Sequence, residues 1–233
     1  MSTNAKRWLP LVLLLTAAIA VYVTGLHREL SLAGLQRHRA TLEGFVAARP
    51  LVAGGTFVLV YATATALSVP GAVFLTLSGG FLFGTWIGGM LAVVAATIGA
   101  TLLFLVARTS LGEALRARAG PWLQRLEAGL RRDAFSYLLV LRLVPLVPFW
   151  LVNLVPAFLN VPLGVFALAT FLGIIPGCLV YAGVGNGLGA ILDRGEEPNL
   201  GLILEPQVIL PLLALAALAL LPVLYRRWRG RLG

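Results

Sequence analysis

LSVPGAVFLTLSGGFLFG, residues 67–84, decides how this chain is read. It lies inside an apolar run, Pro50 through Ala107, that contains no Asp, Glu, Lys or Arg. As one helix that run would measure about 85 Å, nearly three bilayer thicknesses. Pro70-Gly71 interrupts it, because proline lacks the N–H donor and its ring clashes with the preceding turn. Gly79-Gly80 and Gly84 follow. The spacing predicts helical pieces at 51–68, 72–83 and 85–107. The middle piece amounts to about 18 Å of helix, too short to cross a bilayer. The first two pieces are therefore expected to form a re-entrant hairpin, and the third a full span.

The same reading extends to the rest of the 233 residues, of which 59% are hydrophobic and 12% charged. Average soluble domains carry about twice that charge fraction. From Ala134 through Leu192 the only charge is Arg142, and Pro206 through Tyr225 has none. Runs of this length are too long for a soluble core. The net charge of +9 comes from short basic segments beside apolar runs. There basic residues set orientation and meet lipid headgroups. Membrane lipids are the expected partners and nucleic acid is not; the oligomeric state stays open. The single cysteine, Cys178, cannot form an internal disulfide and reads as a packing residue.

The second half repeats the plan of the first. A basic loop, 108–133, holds Arg108, Arg116, Arg118, Arg125, Arg131 and Arg132. The stretch 134–160 is broken at Pro145, Pro148 and Pro156, and a span is expected at about 162–184. A first span at 8–26, read as uncleaved, and a last one at 207–225 complete four full spans. The polar segment 27–50 is expected along the interface as a weakly amphipathic helix. With Lys6-Arg7 in the cytoplasm, parity puts loop 108–133 and Arg226-Arg227-Trp228-Arg229 on the same side, and loop 185–206 outside. Segment 27–50, with four arginines, then lies outside, which an interfacial position softens but does not remove. The two hairpins enter from opposite faces as an inverted repeat.

Lipid cannot hydrogen-bond the backbone groups freed at a proline break, so such breaks survive only inside protein or beside water. The breaks at Pro70-Gly71 and Pro145 to Pro148 predict a shielded cavity; two kinked helices packed by neighbours are the alternative. Arg142 costs about 3 kcal/mol in an apolar span unless it finds water or a partner. Its guanidinium suits the phosphate of a lipid headgroup; snorkelling, or bonding to freed carbonyls, is the alternative. Asn153 and Asn160 flank the tip of the second hairpin. Their amides suit orphan backbone groups first and a substrate second. Gly80, Gly84, Gly88, Ala92, Ala96 and Ala100 recur every fourth residue and read as a packing stripe, as do Gly173, Gly177, Gly183 and Gly185.

No enzyme is expected. Ser78 needs a base, and both histidines, His27 and His38, lie upstream in the polar segment. The apolar core offers no acidic pair, and no metal or other cofactor site is credible. Lys6 is the only lysine, which excludes a phosphate-cradling lysine loop.

These residues resemble the DedA-like superfamily, also called the VTT or SNARE-associated Golgi protein domain. The first hairpin carries Val69-Pro70-Gly71 through Gly79-Gly80-Phe81-Leu82-Phe83-Gly84. The second reads Arg142-x-x-Pro145-x-x-Pro148, then Asn153, then Ala169-Thr170-x-x-Gly173-x-x-Pro176-Gly177 and Tyr181-Ala182-Gly183-Val184-Gly185. The nearest branch by this resemblance is the Tlg2-vesicle-protein type, over about residues 50–190. The resemblance implies two opposed re-entrant hairpins and movement of phospholipids or polyprenyl-phosphate carriers across the bilayer. It marks Pro70, Gly71, Gly84, Arg142, Pro145, Pro148 and Asn153 as motif positions. Two departures stand out. Ala157 replaces the glycine that commonly follows the asparagine by four. The membrane carboxylates that DedA proteins proper carry near the first Pro-Gly are missing, which points away from proton coupling.

The expected architecture is therefore an N-terminal span and interfacial segment (1–50), a DedA-like core (51–190), and an outer loop, last span and basic tail (191–233). The chain is placed in the cell (inner) membrane with both termini cytoplasmic. The expected function is transport or scrambling of phospholipids or lipid-linked phosphates, with Arg142 and Asn153 as substrate contacts. A membrane scaffold or assembly factor is the alternative; a small-ion transporter is weakened by the missing carboxylates.

Overall fold

The computed structural model describes residues 32–69, 72–110, 133–143 and 149–193, together with residues 12, 16, 19 and 23–25. The first span, most of loop 108–133, the last span and the prolines at 70, 145 and 148 lie outside the described residues, as does Gly71. Among the described residues all regular structure is helical. We number the helices α1 (Leu32–Arg37), α2 (Arg39–Ala48), α3 (Pro50–Ala66), α4 (Ala72–Ser110), α5 (133–143), α6 (Phe149–Phe158) and α7 (Leu163–Asp193).

Pro50 opens α3 at its first turn, where a missing N–H costs nothing. The helix ends at Ala66, four residues before Pro70. Ser68 takes a left-handed conformation, φ 52°. Its N–H donates to the carbonyl of Thr65 (3.0 Å), and that of Val69 donates to Ala64 (2.9 Å). These two bonds are the Schellman closure, normally built on glycine. The break expected at Pro70-Gly71 is thus already made at Ser68.

α4 consists of two helical parts joined at a kink. Gly84 has φ 78° and ψ 169°, a conformation essentially restricted to glycine. Two sets of contacts show that the chain reverses there. Against α3, the part before Gly84 runs antiparallel. Tyr61 Oη lies 2.8 Å from Thr76 Oγ1, and the Phe57 and Phe83 rings are 5.6 Å apart. The part after Gly84 runs parallel to α3: Gly54 faces Leu91, and Gly99 faces Ala62 and Thr65. A straight helix would separate Gly79 from Gly88 by about 13 Å. Instead, a Cβ on Gly88 would collide with the carbonyl of Gly79. The expected stripe from Gly80 to Ala100 is therefore not one surface. Gly80 faces Ala182 of α7, Gly88 faces Gly79, and Ala92, Ala96 and Ala100 are buried beyond the bend.

The second half uses the same devices. In α5, Asp133 accepts from the Ser136 amide (3.2 Å) and hydroxyl (3.1 Å). Short α6 ends at Phe158; Asn160 beyond it is left-handed with φ 54°, and Val161 N–H closes back onto Pro156 O (3.1 Å). Asparagine is among the few non-glycine residues at ease there. Asn160 is thus a turn residue rather than an amide bonding partner at the hairpin tip. Long α7 follows and runs antiparallel to the second part of α4. Gly183 faces Thr85, Gly89 faces Leu179, and the Phe104 and Phe166 rings stack at 4.3 Å. The span expected to stop near 184 continues to Asp193. Gly185 is a close contact with Leu77, not a helix stop.

Each short hairpin packs on both long helices. Tyr61, Leu75, Ala92, Ala96, Ile174 and Cys178 form one core; Phe104, Ala107, Leu138, Phe158, Phe166 and Ala169 form the other. The outer faces stay apolar: Leu51 is 90% and Trp86 74% exposed. An apolar core inside an apolar surface is the arrangement a bilayer permits and water penalises. The segment 27–50, expected as one interfacial helix, is described from residue 32. It is two short helices, α1 and α2, meeting at His38, and α2 buries none of its residues.

Candidate functional site

Arg142 sits in α5, Asn153 in the middle of α6 and Thr170 in α7. Folding brings them into contact. Arg142 Nη2 donates to Asn153 Oδ1 at 2.6 Å and to Thr170 Oγ1 at 2.9 Å. The guanidinium carbon lies 5.4 Å from the centre of the Phe166 ring, in cation–π range. The arginine stem packs on Gly173, where a Cβ would collide with Arg142 Cβ. A glycine there lets α5 lie close enough for the guanidinium to reach α6 and α7 together.

Asn153 and Thr170 are fully buried. The amide orientation of Asn153 follows from chemistry: guanidinium only donates, so it must face the oxygen. That leaves Nδ2, buried, without an acceptor among the described residues. An unmet amide donor in an apolar interior costs about 1–3 kcal/mol. It therefore marks a place suited to an oxygen-rich ligand or to water. Both of these acceptors, Asn153 Oδ1 and Thr170 Oγ1, are neutral and orient the guanidinium.

The first half carries an uncharged counterpart. Tyr61 and Thr76 cross-link α3 to α4 as Arg142 and Asn153 cross-link α5 to α6. Beside them the Thr65 hydroxyl is buried and has no partner among the described residues. Other hydroxyls of these helices, those of Thr56, Thr63, Ser78 and Thr97, donate to the carbonyl four residues back at 2.7–2.8 Å. Cys178 packs in the core beside Tyr61.

Of the residues singled out from sequence, Arg142 and Asn153 come together and Gly84 makes the reversal. Pro70, Gly71, Pro145 and Pro148 lie outside the described residues. Thr170 and Phe166 were not anticipated at this site. Both share a helix face with Gly173, at offsets of three and seven, so a helical wheel drawn from that glycine would have found them.

The model of the VTT domain matches residues 69–187. The "Transmembrane protein 41 homolog" of Dictyostelium discoideum is 33% identical over 74% of this chain and 51% of its own length. "Transmembrane protein 41B" of Danio rerio is 31% identical over 69% of this chain and 56% of its own. The Homo sapiens protein of that name is 30% identical over 69% of this chain and 54% of its own. The chain thus spans about half the length of the curated relatives it matches. No solved structure matches.

Proposed function

The chain belongs to the VTT domain family and is a membrane protein, and on that premise we propose that it moves phospholipids or lipid-linked phosphates across the bilayer. Arg142 would hold the phosphate in this reading, and the buried amide of Asn153 would donate to a second oxygen. The observation that carries it is the Arg142–Asn153 pair, an oriented cation beside a buried donor lacking an acceptor. A phosphate would offer the guanidinium an ionic partner that can take two parallel N–H···O bonds, which adds geometric specificity as well as energy.

The reversal at Gly84 supports a re-entrant first hairpin. Its second arm, 72–83, measures about 18 Å against a hydrocarbon core of about 30 Å. Val73–Ser110 of α4 and Leu163–Gly187 of α7 are both long and apolar enough to cross. The full arrangement we propose has four spans, two hairpins entering from opposite faces, and both termini in the cytoplasm of a cell (inner) membrane protein. The proposed step is non-covalent, so no catalytic residue is assigned.

A scaffold is the second reading. The closed contacts of Arg142 with Asn153, Thr170 and Phe166 are also what a purely structural strut would make. Reconstitution separates the two. Vesicles containing the protein and a fluorescent phospholipid should lose outer-leaflet asymmetry faster than protein-free vesicles. Arg142→Ala should slow that loss while remaining folded by size exclusion. Wild-type protein no faster than empty vesicles would leave the scaffold.

A further inference from the structure

A cavity of about 300 Å³ lies between α1–α2 and the first hairpin, away from Arg142. Leu42 and Phe45 of α2, Val60 of α3, and Phe74, Leu82 and Phe83 of α4 line it. Thr56 and Ser78 also face it, but their hydroxyls are committed to the carbonyls of Val52 and Phe74. They offer the cavity no donor. Among the described residues, His38, exposed at the junction of α1 and α2, is the remaining polar side chain of the lining.

We propose that this cavity holds a stretch of acyl chain from a membrane phospholipid whose phosphate lies against the arginines of α1–α2. The volume accommodates on the order of ten methylenes, taking each as roughly the 30 Å³ that a water molecule occupies in the liquid. Water is a poor occupant, because a buried water needs several polar partners. A polar small molecule would lack the few directed groups that fix orientation in such sites. Beside a bilayer, hydrocarbon is the material at hand, and an unfilled space would forfeit contacts on one side of every wall.

Charge selects the headgroup. Arg37 and Arg39 flank His38, and Arg49 follows α2, against the single carboxylate of Glu43. Arg39 is bound to Glu43 at 2.9 Å, and its guanidinium carbon lies 5.4 Å from the Phe81 ring. That contact latches α2 onto the hairpin. Arginines beside His38, on the helices that line the cavity, suit a phosphate-bearing, preferentially anionic headgroup. The proposal rests on the membrane reading but not on Arg142.

The test uses the full chain in nanodiscs containing phosphatidylglycerol with a photoactivatable diazirine in one acyl chain. Adducts are mapped by mass spectrometry. Leu42, Phe45, Val60 and Phe74 should be labelled, along with Leu51 and Leu59 on the outward face. Leu42→Trp and Val60→Trp, which fill the space, should each cut cavity adducts several-fold and leave those on Leu51 and Leu59 unchanged. Arg37→Gln with Arg39→Gln should reduce labelling by phosphatidylglycerol more than by phosphatidylcholine. Unlabelled cavity residues beside a labelled Leu51 would overturn the proposal, as would labelling unmoved by both tryptophans. So would photo-leucine cross-links from Leu42 to residues 1–31, which would make the occupant the chain itself. Arg142→Ala should leave the adduct pattern intact, so failure of the translocation reading and failure of this one are distinguishable.

Discussion

Arg142 of α5 places Nη2 2.6 Å from Oδ1 of Asn153 on α6. The two residues are eleven apart in the chain, on opposite arms of one hairpin. The bond clamps the arms together and aims a cation and an amide donor at the same place. Removing either partner leaves a buried polar group unsatisfied, and the predictions start from there.

Arg142→Ala should lower both stability and lipid translocation. The bonds to Asn153 and Thr170 involve a charged donor, worth about 1.5–3 kcal/mol each. Arg142→Lys keeps the charge and loses the fork. If the residue holds phosphate through paired donors, lysine should recover thermal stability in detergent more fully than translocation. Equal recovery of both would reduce Arg142 to a strut.

Gly84→Ala should destabilise by about 1–3 kcal/mol, the cost of a side chain in this backbone region. Space is not the cause, since nothing lies within 4 Å of a Cβ there. The loss should therefore be nearly the same for Gly84→Ala and Gly84→Ser. A melting curve in detergent for the two variants checks it. A steep dependence on side-chain size would contradict the backbone explanation.

Gly185→Ala should loosen α7 from the first hairpin, because a Cβ would run into the backbone of Leu77. Gly177→Ala, in the same helix with open space around it, should be neutral or stabilising by about 0.5–1 kcal/mol. Opposite signs in one helix, read as melting temperature, test the packing directly. Equal effects would mean that helix propensity, not contact, dominates.

Thr65→Val should raise stability by about 1 kcal/mol, against the usual trend for buried positions. It removes a hydroxyl that has no partner among the described residues, and relieving an unmet polar group is favourable. Tyr61→Phe, by contrast, removes the bond to Thr76 Oγ1 and should cost about 0.5–1.5 kcal/mol. A stability loss in Thr65→Val would show that the hydroxyl is satisfied by bound water or ligand.

The apolar run from Pro50 to Ala107 could be divided from sequence because glycine and proline act locally. A residue that must adopt an unusual backbone angle betrays itself by type, as Gly84 did. Ser68 escaped notice for the complementary reason. Serine seldom takes φ 52°, and only the bonds of Thr65 and Ala64 around it make the turn. Asn160 was visible as a polar residue at the right spacing but was assigned to bonding rather than to turning. The small-residue stripe was legible as packing, yet its single-helix continuity was an artefact of counting through Gly84.

Sequence alone determined that the chain is helical and membrane-bound, where its short arms lie, and that Arg142 needs a partner. Each of these follows from composition or from the backbone limits of single residues. Tertiary structure alone decided that α4 doubles back on itself, that α7 crosses both hairpins, and that Thr170 and Phe166 share the guanidinium with Asn153. Those outcomes depend on which faces of distant helices meet, and close approach at Gly80, Gly173 and Gly185 selects the faces through contacts that no local pattern encodes.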